Sequence, residues 1–199
     1  MKPTLFAFDL DGTITTQEIL PLLAAELDLA EEFSLLTDLT VRGLVDFSAS
    51  LKLRFHILRS VPLKTVQDIV RRVPLNSDIE AFIHKNKECC RVITGNVDCW
   101  VEPLIHRLGC GTFSSRSSLN NGQLVLTSIL DKGEAMRTLK KHASRLIAIG
   151  ESAGDVPMFE AADIGVAYAG VHEPAPALLT VTDHVVYDGV SLCRLLEKL

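Results

Sequence analysis

Two aspartates one residue apart, Asp9 and Asp11, end an apolar run and precede Gly12 and Thr13 in the string FAFDLDGT, residues 6–13. A carboxylate at the end of a buried strand can attack phosphorus with one oxygen and bind a hard cation such as Mg²⁺ with the other. A second carboxylate two positions on can protonate a leaving alcohol and then take a proton from water. Gly12 lets the chain turn sharply, so backbone N–H groups can face an anion. The pair alone is weak evidence, because aspartates commonly cap helices or sit in solvated turns. The strand before it and Gly12–Thr13 after it give it weight.

Three further polar positions follow apolar runs. They are Thr94 in VITGN (residues 92–96), Lys132 in DKGEA (131–135), and Glu151 with Asp155 in IGESAGDVPM (149–158). Each has an ordinary structural use. Thr94 suits a turn or helix cap, Lys132 a solvated surface, and the two acids a helix N-terminus favoured by the helix dipole.

The elements that must position these residues form an α/β pattern. Residues 5–8, 91–95, 145–150, 162–170 and 183–189 contain short apolar strands, and the first three end in a small or polar residue. Helical spacing occupies 98–108, ending at Gly109, and 133–142; Ser77 is expected to cap a helix over Ile79, Phe82 and Ile83. Alternating strands and helices imply a Rossmann-like, mostly parallel sheet flanked by helices, with ligands at the carboxyl ends of the strands. Residues 14–73 break the alternation. They read as four helices, at 18–27, 31–41, 47–58 and from Pro62 to about Arg72. The expected division is a discontinuous core of 1–13 and 77–199 with a helical insertion of 14–76. Around Asn120–Asn121–Gly122 the segment 112–128 reads as a β-hairpin.

Of the 199 residues, 47% are hydrophobic and 23% charged, which suits a folded core that needs no disulfides. The net charge of −5 carries no block of like charge, which argues against nucleic acid as a partner. The five cysteines lack C-x-x-C spacing, and no run approaches the roughly 20 apolar residues of a membrane span. A cytoplasmic protein without a membrane partner, monomer or homodimer, is expected.

In order and spacing, the four motifs resemble those of the haloacid dehalogenase superfamily, and most nearly its phosphoserine phosphatase branch. The resemblance covers nearly the whole chain. It implies a core with a small helical cap of the C1 type after the first strand. It makes Asp9 the nucleophile and Asp11 the general acid and base. Thr94 becomes the phosphoryl-binding hydroxyl, and Lys132 the cation that offsets charge on phosphate and Asp9. A Mg²⁺ cofactor would be held by Asp9, the Asp11 carbonyl and an acid from Glu151 or Asp155. Around the substrate it places Gly12, Gly95 and Asn96. From the cap come Glu18 toward a substrate amino group, Arg54 toward a carboxylate, and the aromatic Phe47.

The pattern also departs from the family. Glu151 replaces the usual aspartate of GDGxND and Gly154 its asparagine. Gly12 stands where phosphoserine phosphatases often have Ser, and Asn96 where they have Gly. The implied activity is Mg²⁺-dependent hydrolysis of a small phosphorylated metabolite, such as phosphoserine or a related amino-acid phosphate, through an aspartyl phosphate. Phosphoryl transfer to another alcohol is a close variant. Glu151 and Gly154 motivate a different class, a weakly active or inactive protein that binds a phosphorylated metabolite. A dehalogenase is disfavoured, because carbon–halogen cleavage leaves Asp11 without a role.

Overall fold

The structure, a computed structural model, describes residues 2–41 and 44–199. Its first strand, β1 (Thr4–Phe8), is apolar after Thr4 and buried on both faces. Phe6 and Phe8 face one core, where the Phe82 ring meets Phe6 edge-on at 5.3 Å between centroids. Leu5 and Ala7 face the other, with Met136, Leu139 and Met158. This two-sided burial is why the strand reads as a continuous apolar run rather than an alternating one.

Seven strands form one sheet: β1, β2 (Cys90–Val97), β3 (Gly111–Asn120), β4 (Gln123–Ser128), β5 (Arg145–Gly150), β6 (Ile164–Tyr168) and β7 (His184–Val186), in the order β4-β3-β2-β1-β5-β6-β7. All neighbouring pairs are parallel except β3 with β4. The sheet is thus the expected mostly parallel one, with the hairpin at one edge. Asn121 and Gly122 close that hairpin with φ of 50° and 77°. Two successive positive φ values match the twist of the flanking strands. The chain first builds outward from β1 to β3 and then returns to β5 on the other side of β1. The β1–β5 boundary is therefore the switch point at which open α/β sheets hold ligands.

Four inserted helices follow β1 and precede α5 (Ser77–Lys85), the helix that leads into β2: α1 (Ile19–Glu26), α2 (Ala30–Val41), α3 (Phe47–Leu58) and α4 (Leu63–Val70). The two chain segments that join them to the sheet run side by side. Thr15 bridges Leu75, Thr16 N–H donates to Pro74 O, and Asn76 N–H donates to Ile14 O. The remaining helices cover the sheet. α5 (Ser77–Lys85), α6 (Asp98–Leu108) and α10 (Gly189–Leu196) pack on the Phe6 side, and α7 (Lys132–Lys140), α8 (Val156–Glu160) and α9 (Pro176–Leu179) on the Leu5 side.

Helix α6 carries Pro103 in its interior. Proline has no N–H, so the Cys99 carbonyl one turn earlier loses its helical donor. Gln67 of α4 supplies one instead, with Nε2 at 2.8 Å. A defect in a sheet-covering helix thus becomes a tether to the inserted helices. Two local expectations change. Asn76, not Ser77, caps α5, accepting from the N–H groups of Asp78 and Ile79. Its amide is also fixed by donation to the Tyr168 hydroxyl at 2.8 Å. The short α8 and α9 were not anticipated, because four or five residues hold too little of a helical period to be read.

Candidate active site

β1, β2 and β5 end together, and the residues just beyond them meet. Asp9 follows the last residue of β1, and its N–H donates to Ile149 O of β5 at 2.8 Å. Lys132 opens α7. Its Nζ lies 2.6 Å from Asp9 Oδ1 and 2.6 Å from Asp155 Oδ1. Burial lowers the ammonium's proton affinity, but Asp155 and Asp9 more than reverse this, so Lys132 stays charged. Asp9 is held above the usual carboxylate range by burial and by Asp155, against the pull of Lys132.

Asp155 is saturated. Its second oxygen accepts from the Glu151 and Ser152 N–H groups and from Ser152 Oγ, at 3.0, 2.9 and 3.0 Å. The reciprocal Ser152–Asp155 bonds form a capping box that fixes the turn after β5. Glu151 is buried, with no hydrogen-bond partner for its side chain among the described residues. Burial and repulsion by Asp9 and Asp155 push its carboxyl to about 7. Of the two expected acids, Glu151 is the one with free oxygens.

Asp11 is positioned from both sides. Oδ1 accepts from Ile19 N–H at the start of α1, 2.8 Å away, and Oδ2 accepts from Asn96 Nδ2. Burial, followed by repulsion from Glu18, raises its carboxyl to about 6. Thr94 is buried on β2, and its Oγ1 accepts from Asn96 N–H at 3.1 Å. With its lone pairs engaged this way, the hydroxyl proton is free to donate to an anion. Asn96 thus organises Asp11 and Thr94 together.

Asp9, Asp11, Thr94 and Lys132 line one cavity of about 640 Å³. Glu18, Phe47, Gly95 and Asn96 line it as well. Burial and repulsion by Glu151 and Asp9 raise the Glu18 carboxyl to about 7, and His172 Nε2 lies 3.5 Å away. Phe47 covers Gly95, where an added Cβ would lie 2.8 Å from the ring.

Two expectations change here. Gly12, with φ of 66°, does not offer its N–H to a ligand but donates it to Thr15 Oγ1 at 3.2 Å. Arg54 does not line the cavity. Its guanidinium turns into the inserted helices, donating to Ser50 Oγ and to Thr37 Oγ1, the latter at 2.8 Å, and lying over the Phe33 ring. It borders a separate cavity of about 490 Å³. Sequence reasoning missed Ser115, whose hydroxyl pins Gly95 O at 2.7 Å, and Arg137, which lines the main cavity. The S-x-x-D spacing of Ser152 and Asp155 was a readable signal; Ser115 carried none.

No three His, Cys, Asp or Glu side chains among the described residues form a ready metal cage. Mg²⁺ does not need one, because it keeps several waters and takes only one or two carboxylates beside a phosphate. The donor set fits such an ion. Asp9, Asp11, Glu18, Glu151 and Asp155 gather around the single ammonium of Lys132, and Asp9 and Glu151 are raised first by burial and then by repulsion from neighbouring carboxylates, which a bound cation would offset.

Comparison with known proteins relates the chain to a family. Over residues 6–160 the chain matches the model of the haloacid dehalogenase-like hydrolases. It is 28% identical to a phosphoserine phosphatase of Archaeoglobus fulgidus over 82% of this chain, and 26% identical to one of Methanocaldococcus jannaschii over 84%. It spans 86% of the Methanocaldococcus protein but only about half, 52%, of the Archaeoglobus one and 46% of a Mycobacterium tuberculosis relative. In fold it is similar to a phospho-aspartyl intermediate analogue of phosphoserine phosphatase, with a TM-score of 0.80 at 24% identity over the whole of both chains. A family hydrolase of Salmonella enterica serovar Typhi gives 0.83 at 22% identity, over all of this chain and 73% of that one. With the family model spanning most of its length, the chain belongs to the haloacid dehalogenase-like hydrolases.

Proposed function

We propose that the chain is a Mg²⁺-dependent phosphomonoester hydrolase that acts on a small phosphorylated metabolite through an aspartyl phosphate on Asp9. The observation that carries this reading is Lys132, which holds Asp9 and Asp155 together at the switch point of the sheet, on the cavity that Asp11 and Thr94 also line. In the first step an Asp9 oxygen bonds to phosphorus and the ester P–O bond breaks. Asp11, whose carboxyl is raised to about 6 and so keeps its proton in a larger fraction of molecules near neutral pH than an ordinary aspartate, gives that proton to the leaving alcohol. In the second step Asp11 takes a proton from water as the water attacks phosphorus. The Asp9–phosphorus bond then breaks and inorganic phosphate leaves. Thr94 and Lys132 stabilise charge on the phosphoryl oxygens. Asp9, the Asp11 carbonyl and Glu151 would hold Mg²⁺, which would supply further positive charge to the phosphate and to Asp9.

In this reading residues 14–76 are a cap over the core of 1–13 and 77–199, joined where Thr15 meets Leu75. The names of the curated relatives support phosphoserine as a substrate, and Glu18 suits an amino group. The five cysteines are unpaired, which supports a reducing compartment such as the cytoplasm. No described helix is long and apolar enough to cross a membrane.

The test is phosphate release from O-phospho-L-serine and a panel of sugar and nucleotide phosphates with Mg²⁺, beside Asp9→Asn. Mg²⁺-dependent turnover that is lost in the variant is the expected result. No turnover of any ester with Mg²⁺ or Mn²⁺ would overturn the hydrolase reading and favour a protein that only binds such metabolites.

A further inference from the structure

We propose that the chain has a second ligand site, separate from the Asp9 cavity, that takes a small carboxylate with an apolar body. A cavity of about 450 Å³ opens between the turn from α3 to α4 and the tip of the β3–β4 hairpin. It shares no lining residue with the cavity around Asp9. Its size is one that small molecules occupy.

The walls are apolar. Leu58 at the end of α3, Val66 of α4 and Trp100 of α6 line it and are buried, and Leu124 of β4 is half-buried beside them. Leu119 of β3 also lines it and is 75% exposed, so an occupant would remove this apolar area from water. Among the described residues that line the cavity, Arg59 alone is charged, in a chain whose net charge is −5. Arg59 is exposed, and its guanidinium has no hydrogen-bond or ion-pair partner among the described residues.

Apolar walls beside one unpaired guanidinium complement an apolar body with one negative charge, because the planar fork of arginine pairs with carboxylate oxygens. A phosphomonoester dianion fits poorly, since its second charge would lose water against leucine and tryptophan without gaining a partner. The class that fits is an aryl or alkyl carboxylate. Such an occupant touches the inserted helices through Leu58 and Val66, the hairpin through Leu124, and α6 through Trp100. Trp100 stacks on Phe55 of α3 with 5.7 Å between centroids, and Gln67 of α4 is tied to the neighbouring Cys99 carbonyl. Occupancy therefore reinforces the joint between the inserted helices and the sheet.

Trp100 is the chain's single tryptophan, so its fluorescence reports on this site. The test titrates the full chain, as wild type, R59Q and R59K, with 4-phenylbutyrate. The controls are its neutral counterpart 4-phenylbutanol and acetate, which lacks the apolar body. 4-Phenylbutyrate is expected to change the fluorescence saturably and to raise Tm with concentration. The alcohol and acetate should bind at least about tenfold more weakly. R59Q should lower the affinity for 4-phenylbutyrate to that for the alcohol, and R59K should recover part of the loss. Arg59 lies exposed on a turn, so R59Q keeps the fold, which its Tm without ligand checks. No saturable change in wild type, equal affinities for acid and alcohol, or an affinity unchanged in R59Q would overturn the proposal. So would sedimentation that finds a dimer whose formation alone shifts the Trp100 emission, because a second copy would then occupy the groove. None of these readouts uses catalysis, so the result stands apart from the hydrolase reading.

Discussion

The carboxylate of Glu151 occupies the space that a side chain on residue 12 would need: a Cβ built on Gly12 would lie 2.8 Å from Glu151 Oε1. Two departures from the family pattern, Gly12 and the longer acid at 151, are thus one arrangement. The extra methylene of Glu151 fills what Gly12 leaves open. A double-mutant cycle reads this coupling. Gly12→Ser is expected to lower kcat/KM by about tenfold or more and to reduce Tm, since it adds both a clash and a side chain at positive φ. Glu151→Asp removes the clash, so the double variant should recover part of the loss, with a coupling of about 0.5–3 kcal/mol. Strictly additive effects on kcat/KM and Tm would show that the two positions are independent.

Asp9 illustrates a conflict between stability and chemistry. Its carboxyl is raised by burial and by Asp155 despite the Lys132 ammonium, so without a metal ion its ionised form opposes folding. Asp9→Asn keeps the shape and removes the charge, while Lys132 keeps Asp155 as its partner. The variant should lose at least about a thousandfold in kcat while its metal-stripped Tm rises by a few degrees, about 1 kcal/mol. Calorimetry on EDTA-treated protein checks the second half; a lower Tm would mean that the Lys132–Asp9 pair outweighs the burial of its charge.

Much of this site was legible because its residues sit at strand ends. The apolar runs of β1, β2 and β5 fix where Asp9, Thr94 and Glu151 must lie, and the parallel order brings those ends together. The direction of the Arg54 side chain and the partner of the Gly12 N–H were not legible. Arg54 depends on which way a side chain of the inserted helices turns, and that is decided by Ser50, Thr37 and Phe33 on three different turns of two helices. The Gly12 N–H is taken by Thr15 Oγ1, a local side-chain-to-backbone bond that strand and helix periodicity does not reveal. Arg137 has no motif of its own, so its place on the cavity wall was not legible either.

The acid cluster also predicts a pH dependence. Asp11, Glu18 and Glu151 rise from ordinary values near 4 to about 6, 7 and 7 in the metal-stripped fold. A carboxyl raised on folding binds its proton more tightly in the folded state. Its contribution is therefore fully present below the unfolded value and is lost as pH rises through the folded one. Tm of the stripped protein should fall between about pH 5.5 and about pH 8. Mg²⁺ binds the ionised carboxylates, so its increment in Tm should be larger at the upper end of that range. An increment equal at both ends, measured at saturating Mg²⁺, would separate the metal from these acids.

The contact between Phe47 and Gly95 links the inserted helices to the end of the cavity that Thr94 lines. Phe47 begins α3 and is 52% exposed, so its ring can move at little cost in stability. Gly95 follows Thr94, and its carbonyl is pinned by Ser115. The peptide there cannot easily give way, so a methyl group at 95 must displace the ring, 2.8 Å away. Gly95→Ala should therefore leave stability within about 0.5 kcal/mol of wild type and act on substrate binding instead. KM should rise several-fold as the aromatic lid over the cavity is pushed outward. Phe47→Leu, shorter and lacking the ring edge, should restore KM in the Gly95→Ala background while weakening binding in the wild-type one. That reversal of sign is the decisive reading. If Phe47→Leu raises KM equally in both backgrounds, the ring does not answer to Gly95, and this contact does not shape the cavity.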